Sequence, residues 1–193
     1  MKNLIAELRT SLVITLLLIV LCCGIYPLAV WAIAQGAFPH QANGSLIEAK
    51  GKIVGSSFLS QGFAGPAYFH PRPSAAGQGY DAANSGGTNL GPTSKKLIED
   101  VKQRVADYRA VNGLAPDVPV PADAVTSSAS GLDPHISIEN ARLQAGRIAK
   151  ARRLSMEDVL RKIAVHTEGR DLMIFGEPRV NVLMLNLDLD RKL

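Results

Sequence analysis

Ser130, Asp133 and His135 lie within six residues of one another. By content they hold the parts of a hydrolytic triad: a hydroxyl to attack, an imidazole to take its proton and a carboxylate to orient the ring. Their spacing argues against that chemistry. The residue before a proline is held extended, so in Asp133-Pro134-His135 the side chains point in different directions. Asp133 is better suited to hold backbone N–H groups in the turn before a helix opening at Ser137. An exported hydrolase using Ser130 or His135 remains an alternative function. The four histidines, His40, His70, His135 and His166, do not pair at metal-ligand spacing, and both cysteines, Cys22 and Cys23, are far from them. No metal site is expected. Gly77-Gln78-Gly79-Tyr80-Asp81-Ala82 matches a dinucleotide fingerprint by letter, but no strand precedes it and no helix follows.

The sharpest candidate is Ser85-Gly86-Gly87-Thr88-Asn89-Leu90-Gly91-Pro92. Adjacent glycines can take positive φ and expose N–H groups, a nest suited to an anion or to a carbonyl-rich partner surface. On this expectation a β-branched residue at Gly86 breaks assembly. The plainer reading is a tight turn leading into a helix capped by Ser94. The chain has no G-x-x-x-x-G-K-[ST] loop, no Asp-Lys-Thr-Gly-Thr phosphorylation motif, no G-x-S-x-G elbow and no H-E-x-x-H. Splitting ATP or esters on its own is therefore not expected.

These candidates must be positioned by a chain whose main feature lies elsewhere. Residues 12–34 are an uncharged apolar run, which as a helix of roughly 35 Å crosses a hydrocarbon core of about 30 Å. Gly24 and Pro27 can kink it. Lys2 and Arg9 precede it, opposed by Glu7 alone, and no Lys or Arg follows until Lys50. Basic flanks stay cytoplasmic, so residues 1–11 are expected inside and the rest outside. The rival readings are a signal peptide cleaved after Ala34, which would release an exported binding protein, and a buried core helix, which this length disfavours.

Beyond the run, about 155 residues remain, enough for one domain with a real core. The whole chain carries 21 basic and 17 acidic residues. Setting aside Lys2, Arg9 and Glu7 leaves a charge of +3, a mixed surface rather than a nucleic-acid footprint. Both cysteines fall inside the apolar run, so the outer domain cannot use disulfides.

The expected organisation is a connector at 35–51 and a mixed α/β domain at 52–193. The stretch 52–93 reads as ordered loop rich in Gly, Pro and aromatics, with short strands at Ile53-Val54 and Tyr68-Phe69. Helices are expected over 94–112, 137–153 and from Ser155 to a stop at Gly169. Residues 178–189 fit strand and helix spacing alike, with helix preferred. The fold class is α+β: one spanning helix, then one extracytoplasmic domain.

Four segments follow the apolar run in order: Tyr68-Phe69-His70-Pro71-Arg72-Pro73-Ser74-Ala75, the Ser85 to Thr93 loop, Ser130-Gly131-Leu132-Asp133-Pro134-His135-Ile136-Ser137, and Gly176-Glu177-Pro178-Arg179-Val180-Asn181-Val182-Leu183. Together they resemble the C subunit (KdpC) of the bacterial Kdp potassium-transporting P-type ATPase over nearly the whole chain. Phe58-Leu59-Ser60 departs from the Leu-Ile-Gly expected there.

The resemblance implies a non-catalytic accessory subunit in the bacterial inner membrane. The partners it implies are a potassium-channel-like subunit, a P-type ATPase subunit and a small fourth subunit. It further implies a catalytic chaperone that raises the ATPase subunit's affinity for ATP, with no cofactor of its own and ATP met through a ternary complex. Partner or nucleotide-loop candidates are then Ser85, Gly86, Gly87, Thr88, Asn89, Gly131, Asp133 and His135, the Ser85-Gly86-Gly87 stretch being likened to the signature loop of ABC transporters. An outer domain cannot touch cytoplasmic nucleotide. Two accounts follow: coupling through the anchor and partner subunits, or an outer cap over the potassium path.

Overall fold

The computed structural model describes residues 2–190, which divide into two units between Leu46 and Ile47. In the first, α1 (Lys2–Ile19), a π-helical segment (Val20–Ile25) and α2 (Tyr26–Ala37) run on without a break. Residues Asn3–Ala37 make a helix long and apolar enough to cross a membrane, and none of its most apolar window is buried. It extends beyond the apolar run at both ends. The kink expected at Gly24 and Pro27 takes the form of the π segment. Pro27 has no N–H to give to the preceding turn and its ring crowds the carbonyl there, which a widened turn relieves. A short α3 (Pro39–Ala42) ends the unit, with the Gln35 and Asn43 carboxamides bonded to each other.

The second unit begins inside a hairpin, β1 (Leu46–Ala49) and β2 (Lys52–Ser56). Lys50 and Gly51 turn it with φ of 53° and 73°, the two-residue turn that matches strand twist. The expected strand at Ile53-Val54 is thus present, with the unit starting a few residues earlier than residue 52. Next come residues 57–93 without regular structure, then α4 (Lys95–Asn112) and a short α5 (Ala122–Val125). The remaining elements are β3 (His135–Ser137), α6 (Ile138–Arg152), α7 (Met156–Val165), β4 (Thr167–Glu168), β5 (Arg179–Asn181) and α8 (Val182–Leu189).

Helix starts follow the caps. Ser94, Ser137 and Ser155 each accept the N–H three residues on, at 3.4, 3.1 and 3.0 Å, and Gly113 ends α4 with φ 64°. The third helix stops at Val165, before the expected Gly169. There Thr167 Oγ1 donates to the Ile163 carbonyl at 2.7 Å, and residues 167–168 leave the helix to pair with β5. Residues 178–189 resolve into both candidates: β5, then α8 capped by Asn181, whose side chain accepts from Met184 N at 3.1 Å. Val182, Leu183, Leu185, Leu187 and Leu189 are all buried. A helix covered on every side carries no polar stripe, hence the mixed spacing.

A three-stranded antiparallel sheet, β3-β5-β4, has β5 at its centre and Ile136 opposite Val180. Its inner face joins α6, α7 and α8 around Ile148, Val159, Ile163, Val180 and Leu185, with Phe69 driven into the same core. Residues 68–69 are not a strand. Two side chains take the place of a neighbouring strand. Asn186 accepts from Phe69 N–H at 2.8 Å and donates to Phe69 O at 2.9 Å. Gln144 accepts from His70 N–H at 2.8 Å and donates to His70 O at 3.0 Å.

Replacing the Asn186 side chain leaves a buried N–H and C=O of Phe69 unpaired. Asn186→Ala is expected to lower unfolding free energy by about 2–4 kcal/mol, read by thermal melting of the detergent-solubilised chain. A loss below about 0.5 kcal/mol would refute the bridging role.

Candidate functional site

The structure brings three of the sequence-selected segments together. Ser130 O accepts from Gly86 N–H at 2.9 Å and from Ser85 Oγ at 3.0 Å. Gly131 O accepts from Ser74 Oγ at 2.6 Å, and that hydroxyl in turn accepts from Tyr80 N–H at 2.8 Å and Ala76 N–H at 3.2 Å. Three loops are locked through one serine and one carbonyl pair. The positive φ expected at Gly86 and Gly87 lies elsewhere, at Gly131 (67°) and Asn89 (53°). A Cβ on Gly86 meets open space, whereas a Cβ on Gly131 falls 2.6 Å from Gly86 O and 2.7 Å from Ala76 N. On Gly87 it comes 3.0 Å from Ala129 O. Gly131, and less tightly Gly87, are required for close backbone approach, whereas Gly86 contributes its amide, which is spent inside the lock. Thr88 is half-buried and Asn89 exposed.

From this lock a chain of charges runs to the sheet. Asp133 pairs with Arg72 at 2.9 Å and accepts from His135 N–H at 3.0 Å. The His135 ring lies between two carboxylates, 3.6 Å from Asp133 and 3.2 Å from Glu168. Glu168 also binds Arg179 Nε at 3.2 Å. Burial pushes the Asp133 carboxyl up, but hydrogen bonds from His135 and the Arg72 guanidinium outweigh it and hold it at about 2. His70 is held below its ordinary value by burial and by Arg147. It therefore stays neutral at pH 7, with Nε2 3.1 Å from Gly65 O, placed to donate to it.

Ser130 Oγ lies 3.1 Å from Leu132 N and 3.3 Å from Ser128 Oγ, while the His135 ring faces Asp133 and Glu168. The triad residues are not arranged as nucleophile and base. Among the described residues no group of three or more His, Cys, Asp or Glu is placed to hold a metal ion. In the Gly77 to Ala82 segment, Gly77, Gly79 and Tyr80 all have positive φ, and the turn closes on itself, Asp81 accepting from Ala83 N–H at 2.9 Å. An open groove of about 620 Å³ runs beside the lock, lined by Phe58, Leu59, Ser85, Ala129, Ser130 and Pro134 among others. Arg72, Ser74, Glu168 and Arg179 were not singled out as site residues from sequence. Only the Arg72-Pro73-Ser74 and Pro178-Arg179 segments hinted at them, because pairs so far apart along the chain leave no spacing to read.

Gly131→Ala is expected to destabilise the domain by at least about 2 kcal/mol and Gly86→Ala by less than about 0.5 kcal/mol, compared by thermal melting. Equal effects would place the constraint elsewhere. The Asp133 carboxyl titrates lower folded than its unfolded value of about 3.9. Its contribution is therefore complete above about pH 4 and lost as pH falls toward about 2. Asp133→Asn should flatten the decline in melting temperature over that window; an unchanged acid profile would contradict the pairing.

Residues 8–191 match the family described as KdpC: K+-transporting ATPase, c chain. The potassium-transporting ATPase KdpC subunit of Koribacter versatilis is 52% identical over 189 residues, covering 98% of this chain and 94% of the relative. That of Mycobacterium tuberculosis is 52% identical over 185 residues, 96% of this chain and 98% of the relative. The Myxococcus xanthus subunit reaches 54% over 171 residues, 87% and 80% of the two chains. With matches of this length behind one apolar helix and a mixed α/β domain, the chain belongs to the KdpC family of potassium-transporting ATPase subunits.

Proposed function

We propose that this chain is a single-pass, non-catalytic subunit of an ATP-driven potassium uptake pump in the bacterial plasma membrane, needed for assembly and stability of the complex. The amino terminus is cytoplasmic and the domain from residue 47 onward lies outside. The observation that carries this reading is the match over nearly the whole chain to subunits named for such a pump, together with a 35-residue helix whose uncharged apolar run, residues 12–34, follows Lys2 and Arg9. Its partners are a potassium-conducting subunit, the phosphorylated ATPase subunit and a small fourth polypeptide. The domain offers them a rigid surface: the lock of Ser74, Gly86, Ser130 and Gly131 fixes three loops without a disulfide.

The chain raises the ATP affinity of the ATPase subunit as a catalytic chaperone. With the domain outside, that effect passes through the anchor helix and partner subunits, or through the domain acting as a cap over the outer mouth of the potassium path. The Gly86 amide, engaged with Ser130 O, supports a packing role for the glycine loop in preference to a phosphate cradle. Nucleotide is then met, if at all, in a ternary complex with the ATPase subunit.

Removing this chain while keeping the other subunits is expected to abolish uptake at limiting potassium and to reduce recovery of the remaining subunits as one complex. Uptake and complex yield at wild-type levels without it would overturn the proposal. A carboxyl-terminal reporter active only in the cytoplasm would overturn the orientation.

A further inference from the structure

Between β4 and β5 the chain turns out of the sheet and presents four apolar side chains in succession. Leu172, Met173, Ile174 and Phe175 are 80%, 89%, 72% and 62% exposed, the longest run of consecutive exposed large apolar side chains among the described residues of this domain. The tip is held, not loose. Asp171 and Phe175 form a β-bridge, each accepting the other's N–H at 2.9 Å. Leu172 and Met173 carry φ of 51° and 63°, a left-handed conformation that bulky side chains adopt only at a cost and that clusters at functional positions. Ion pairs clamp the base. Arg170 reaches both oxygens of Glu177 at 3.0 and 2.9 Å. Arg179 binds Asp171 at 3.3 Å and Glu168 at 3.2 Å.

The charges indicate what covers this tip. A loop that enters a headgroup layer keeps cations free to meet lipid phosphates. Here both arginines are already committed to three carboxylates, so the rim is closed and slightly acidic. An apolar centre inside a polar rim whose cations are already paired is the anatomy of a protein interface. Fixing the tip before contact removes much of the ordering cost of binding.

We propose that residues 172–175 form a plug that enters an apolar pocket on another polypeptide subunit of the potassium-transporting ATPase, on the side of the membrane where this domain lies. The inference rests on the accessory-subunit reading and gives it a specific contact surface. It assigns the ion pairs of Arg170 and Arg179 a shaping role: they hold the plug's outline and contact the partner at its rim.

The test uses the full chain expressed with the other pump subunits. Phe175→p-benzoylphenylalanine is irradiated in intact membranes and the adduct identified by mass spectrometry. Peptides of another subunit of the same ATPase are expected. Adducts to lipid alone, to a second copy of this chain or to a protein foreign to the pump, or no adduct, would overturn the plug. In parallel, Leu172→Ser with Phe175→Ser is expected to keep the melting curve and to cut recovery of the other subunits about tenfold. Unchanged recovery counts against the plug. If that variant melts lower, the adduct alone decides. Failure of the wild-type chain to recover any pump subunit, in the same experiment, defeats the accessory-subunit reading instead.

Discussion

The carboxamides of Gln144 and Asn186 take the role that a neighbouring strand would play for residues 69 and 70. Each buried amide supplies one donor and one acceptor to a single residue's backbone, the pairing a sheet makes with a whole segment. This arrangement lets a long glycine- and proline-rich loop cross the core without regular structure. It seats Phe69 among Ile148, Val159 and Leu185 and brings the next residues, Arg72 and Ser74, to the Ser130 turn. Everything in the candidate site follows from that seat: the Asp133 ion pair, the Ser74 clasp and the approach of Gly86 to Gly131. Such amides must be satisfied to stabilise, and the side-chain nitrogen and oxygen of each have a partner; Gln144 also donates to Asn140 at 2.9 Å and accepts from Arg147 at 2.8 Å.

The site so formed is made of backbone brought close to backbone, with its charged groups paired among themselves. Arg72, Asp133, His135, Glu168 and Arg179 link the glycine loop to the base of the exposed tip through successive contacts. In a membrane pump, this gives the accessory domain a firm connection between two of its surfaces. A rigid domain with its charged groups paired internally suits the accessory part proposed for it, whose task is to hold and to fit.

Much of this was legible in the residues. The serine caps placed the starts of three helices and Gly113 the end of one, because a cap is a local hydrogen bond between positions a fixed distance apart. The apolar helix was legible from length and absence of charge. Strands of two or three residues, such as β3, β4 and β5, were not, because alternation needs more positions to register. Tyr68 and Phe69 looked like a strand since their neighbours are side chains from distant helices. The glycine loop was found, but its constraint was misplaced: Gly131, and not Gly86, carries the positive φ. The apolar tip went unnoticed because four residues flanked by charges resemble any stretch of buried chain until the structure shows them facing water.

The bridging amides also impose an order in time. Asn186 lies 117 residues after the Phe69 backbone it holds. At about 5–20 residues per second of synthesis, the ribosome needs on the order of ten seconds to make the partner. Throughout that interval the loop has neither of its bonds to Asn186, and its aromatic side chains lack the core that later covers them. The domain therefore cannot mature as it emerges: its central loop stays unseated until α8 is made, so the quality of the finished surface depends on a segment synthesised long after the loop itself.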